Sequence, residues 1–142
     1  MEISDIRRRL RQALDQARKA SAERRTRADA AATAYSAFLR DVGTPVFRMM
    51  ANVAKAENYP ATVYTPADGV RLVSERHSED FIELWLDTSL DPPKIATRVS
   101  RARGRDVTTT EGLLRPDSPM NSLTDEDVLS FLLENIGALI ER

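Results

Sequence analysis

The sequence predicts an α+β fold in which helices at both ends of the chain enclose a central antiparallel sheet. Three observations predict it. Residues 5–42 contain no glycine or proline and space their apolar side chains by three or four, the pattern of an amphipathic helix. From Tyr59 onward the apolar period falls to two, with links short enough for hairpins. After Leu123 the helical spacing returns.

The first helix is favoured by alanine, which recurs at ten positions between 13 and 37. Ser4 is expected to cap its start, with Asp5 beside the positive end of the helix dipole. Gly43 is read as its stop and Pro45 as the first residue of a second helix, 45–57, whose Val46, Phe47, Met50, Val53 and Ala54 face a core. A helix over 5–42 reaches about 55 Å, longer than a small domain is wide. Part of it must project or pack on another chain.

Strands are predicted at 61–65, 70–75, 80–87 and 94–101, with a weaker fifth at 105–110. Alternation is clearest in the third, with Ile82, Leu84 and Leu86 opposed to Phe81, Glu83 and Trp85. Pro66-Ala67-Asp68-Gly69 and Leu90-Asp91-Pro92-Pro93 are turn chemistry rather than strand interior. The links predict a four- to five-stranded meander with one covered face. Thr124 and Asp127 form a capping box, and Leu123 can staple onto Val128. The closing amphipathic helix is expected to lie on the apolar sheet face and to bury Val128, Leu129, Leu132, Leu133, Ile136, Leu139 and Ile140.

The chain has 142 residues, 42% hydrophobic and 30% charged, with 21 basic against 22 acidic side chains. That balance conceals a split. Residues 1–57, the helical arm and second helix, hold 12 basic and 7 acidic groups; residues 58–142, the sheet and closing helix, hold 9 and 15. A basic front on an acidic back suits internal docking, self-association or an acidic partner. The two parts are expected to form one compact domain with its arm.

Composition also excludes chemistry. The chain has no cysteine and one histidine, so disulfides, thiolate zinc sites and two-histidine metal motifs are absent from it. Its five glycines form no phosphate-cradling loop, dinucleotide fingerprint or nucleophile elbow. No stretch has the roughly 20 apolar residues of a membrane span. The arginine-rich start has too many acids for a mitochondrial presequence and no apolar segment for a signal peptide, so a cytoplasmic location is expected.

Four features remain as candidate sites. Ile3, Ile6, Leu10, Leu14 and Ala17 lie on one face of the arm and form a candidate interaction seam, which competes with packing against residues 45–57. Arg11, Arg18 and Arg25 recur every seven residues along one flank, where they can meet phosphates or other anions. Acid-first pairs four apart (Asp5 with Arg9, Asp15 with Lys19, Glu23 with Arg27) instead favour a solvated helix face. Arg98, Arg101 and Arg103, with Arg105, gather around Gly104 as possible anion contacts or as charges guarding a sheet edge. His77, between Glu75 and Glu79, is the one place where catalytic residue types lie close together.

The expected function is a non-catalytic protein-interaction or assembly module, self-associating through its N-terminal helix. Its partner is a second copy or another protein, with no cofactor, no metal and no membrane. A nucleic-acid-associated accessory protein using the arm arginines is the alternative, and a small hydrolase around His77 comes third.

Overall fold

The structure, a computed structural model, describes residues 1–140. Helix α1 spans Ile3–Phe38, followed by a π-helical turn at Leu39–Gly43 and α2 at Thr44–Ala56. Five strands follow: β1 Ala61–Tyr64, β2 Val70–Ser74, β3 Phe81–Asp87, β4 Lys94–Arg103 and β5 Asp106–Leu113. A 3₁₀ turn at Met120–Ser122 leads to α3, Asp125–Asn135, and the short α4, Gly137–Ile140. The α+β arrangement is the one the sequence predicts. Sheet order is β1-β2-β3-β4-β5, antiparallel throughout.

The junction of the first two helices differs from expectation. Gly43 does not stop a helix: its backbone is right-handed, with φ −59°. The Thr44 N–H donates to the Leu39 carbonyl five residues back, and helical backbone continues into α2. Proline lacks an N–H, and its ring crowds the carbonyl four residues earlier. A wider turn immediately before Pro45 absorbs that misfit without a break. Gly43 serves close packing instead, since a Cβ there would stand 3.2 Å from the Phe38 ring. Helical backbone therefore runs from Ile3 to Ala56, about 80 Å. Its start also differs, because Glu2 holds the cap position without a side-chain bond and Ser4 lies inside the first turn.

The inner sheet face supplies Val70, Leu72, Ile82 and Leu84, all fully buried. Tyr35, Phe38, Phe47, Val128 and Leu132 complete the core from the helices. The capping box forms as expected: the Thr124 N–H donates to Asp127 at 2.9 Å, and the Asp127 N–H donates to the Thr124 hydroxyl at 3.4 Å. Leu123 and Val128 are both buried beside it. Three residues expected in the core are not there: Val53 is 60% exposed, Leu133 55% and Ile140 36%. β5 is longer than its sequence suggests and is exposed along its whole length. A strand with neither face on the core has no apolar alternation to read. Gly104, at φ +62°, supplies the left-handed residue of the tight β4–β5 turn.

Candidate interaction site

The arm, its root and the groove beyond it are the features with functional geometry. From Met1 to Ala30 every side chain is exposed apart from partial cover on Asp5 and Ser21. Residues 3–26 thus extend about 36 Å past the domain. Along this stretch Ile3 is 75% exposed, Ile6 47%, Leu10 56% and Leu14 44%, with Ala17 exposed beside them. The structure places all five seam candidates on free helix, and none packs on residues 45–57.

The arm is anchored at Arg27. Its guanidinium donates to both Asp91 carboxylate oxygens at 2.9 Å, a bidentate pair between helix and the β3–β4 link. This departs from the expected Glu23–Arg27 pairing, because the link carries Asp91 within reach of the helix from a site 64 residues distant in sequence. Deeper in, the Tyr35 hydroxyl donates to the Asp68 carbonyl, and burial holds that phenol above its ordinary pKa. Between arm and link lies a recess of about 370 Å³, lined by Ala30, Ala31, Pro92, Pro93, Leu114 and Met120.

The Arg27 hydrogen bond holds the Asp91 carboxyl below the ordinary carboxylate range. A depressed carboxyl stabilises the fold above its unfolded value of about 3.9, and that contribution disappears as pH falls through the lower folded value. The arm root is therefore expected to keep its protection across neutral pH and to loosen only below about pH 4. Amide hydrogen exchange of residues 27–34 measures this, and Asp91→Asn should remove the pH dependence.

The arm arginines are separately placed. Arg8 and Arg9 both lie on Asp5, and Arg18 stands 3.8 Å from Asp15, in place of the expected Lys19. Arg11 and Arg25 are exposed on the same flank.

The arginines around Gly104 do not converge. Arg98 pairs with Glu111 at 2.9 Å and lies over the Trp85 ring, 4.8 Å from its centroid. Arg103 reaches the buried Asp80 at 3.7 Å and the Gly137 carbonyl at 3.5 Å. Arg101 is half-buried, and Arg105 is exposed on the turn. Strand register explains the dispersal of Arg98, which belongs to a row of alternating charge crossing four strands: Arg71, Glu83, Arg98 and Glu111 are successive partners. Arg71 also pairs with Glu83 at 2.9 Å and lies over Phe81. The outer sheet face, with Trp85, is thus covered by its own guanidinium groups. No sequence spacing reveals the row, because each member sits on a different strand.

His77 lies exposed in the turn between β2 and β3, where its carbonyl accepts the Asp80 N–H at 3.0 Å. Glu75 is engaged by the Thr62 hydroxyl at 2.9 Å. Among the described residues no group of three histidine or carboxylate ligands gathers that could hold a metal ion. Glu75, His77 and Glu79 lie on the turn between β2 and β3, and Asp80 is drawn inward to accept the Ala102 N–H at 2.7 Å.

The feature that sequence reasoning missed is a groove between α2 and α3. Val46, Met49, Met50, Val53, Leu129 and Leu133 line a space of about 330 Å³, with Asp125 and Glu126 at its rim. Met49 is 53% exposed, close to the values for Val53 and Leu133. The available signal was the width of the α2 stripe, whose apolar residues span more than one core-facing side. Among the described residues no helix is long and apolar enough to cross a membrane. No family model, curated protein or solved structure matches this chain.

Proposed function

We propose that this protein is a non-catalytic assembly module that associates through its N-terminal helix. One observation carries the reading. Ile3, Ile6, Leu10 and Leu14 form an apolar stripe on helix that touches nothing of its own domain. An isolated helix gains no packing energy from such a stripe, and most helical stability in proteins comes from packing an apolar face. Burying each of these side chains against a partner contributes about 1.5–3 kcal/mol. The bidentate Arg27–Asp91 pair and the buried Tyr35 and Phe38 hold the arm's direction at its root, so the stripe is presented rather than loose.

The test is molecular mass by sedimentation, for the natural chain, for Leu10→Glu and for a chain lacking residues 1–26. The natural chain is expected to be larger than a monomer. Both variants are expected to be monomeric, because Leu10→Glu removes a buried contact of about 2–5 kcal/mol and introduces a charge. Melting of the domain itself should hardly change, since Leu10 contacts none of it. A natural chain that stays monomeric at high concentration refutes self-association.

A further inference from the structure

The α2–α3 groove and the arm stripe are two unoccupied apolar surfaces on one chain, and we infer that the arm of a second copy occupies the groove. This inference rests on the assembly reading above and adds the seat. The stripe Ile3, Ile6, Leu10, Leu14 steps by three, four and four, the anchor spacing of a helix laid in an apolar groove. The groove walls are themselves two helices, with Met49, Val53 and Leu133 each more than half exposed. Both surfaces are short: the stripe runs about 17 Å and the groove about two helical turns.

Charge supports the same pairing. Residues 1–26 carry eight basic and four acidic side chains. α3 carries Asp125, Glu126, Asp127 and Glu134 and no basic residue; α2 carries Arg48 and Lys55, so the two groove walls together are net negative and the charged residues lining the groove itself are acidic. Arm against arm would place like charges together, whereas arm against α3 places opposite charges together. Arg7 and Arg11 lie on one flank of the stripe, one helical turn apart, where they can meet the Asp125 and Glu126 rim.

The arm cannot serve its own groove. Helical backbone runs without interruption from Ile3 into α2, so about 48 Å of helix separates Leu14 from Val46. Folding back would require breaking the helix between them. The occupant must therefore come from another chain, and the same sequence supplies a fitting one.

The chain has no cysteine, which makes disulfide trapping clean. Leu10→Cys and Leu133→Cys chains, the latter carrying a mass tag, are refolded together and oxidised mildly. Both positions are exposed in the single chain, so folding should survive. The mixed disulfide dimer is expected to form at least tenfold faster than either symmetric dimer, and added salt should slow it. A Leu10→Cys chain that links to itself as fast, or an oligomer in which the mixed pair does not link, overturns the groove and leaves assembly standing. A monomeric natural chain removes both.

Discussion

Phe47→Ala is expected to destabilise the protein by about 3–5 kcal/mol, through lost apolar burial and the cavity left behind. Phe47 is fully buried, and it reaches the core from α2 beside Val46 and Met50. The sheet beneath it contributes Val70, Leu72, Ile82 and Leu84, all without solvent exposure, so little room exists for collapse around the gap. Domain stabilities are typically about 5–15 kcal/mol, which makes this loss a large fraction. Urea unfolding should show a lower midpoint with an unchanged slope. A loss below about 1 kcal/mol would mean that α2 is only loosely docked on the sheet.

Leu132→Ala is expected to cost about 2–5 kcal/mol, and Thr124→Ala on the same helix about 1 kcal/mol. The difference follows from what each side chain does. Leu132 is fully buried in the core, whereas Thr124 is exposed and accepts one N–H at the helix start. Leu133→Ala, one position along, gives the internal contrast, because Leu133 is 55% exposed and faces the groove. It should leave the stability of the isolated domain within about 0.5 kcal/mol. Thermal or urea melts of the three variants check the order, and equal small effects at 124 and 132 would place α3 outside the core.

Much of the fold is legible in the sequence because its signals are local. The third and fourth strands show a two-residue period, and turn residues separate the strands. Thr124 and Asp127 form their capping box within one helical turn. β5 was harder to read, because a strand exposed along its length carries no apolar alternation. Gly43 takes another course. Glycine with a proline two residues on is ordinary helix-stop chemistry, but here the π-helical turn accommodates Pro45, the backbone stays right-handed, and the missing Cβ leaves room for the Phe38 ring on the same helical run.

By itself the sequence determined the α+β class, the meander, the closing helix and an arm too long for its domain. These follow from hydrophobic period, turn chemistry and helix length, all properties of neighbouring residues. Only the tertiary structure decided how the arm is held and what it leaves open. Arg27 exchanges a partner four residues away for Asp91 across the fold. The charge row of Arg71, Glu83, Arg98 and Glu111 exists only through strand register. The groove exists only because α2 and α3 meet over the core with Met49, Val53 and Leu133 turned outward. An apolar stripe in a sequence states that a face seeks cover; which faces find it within the chain depends on where remote elements pack.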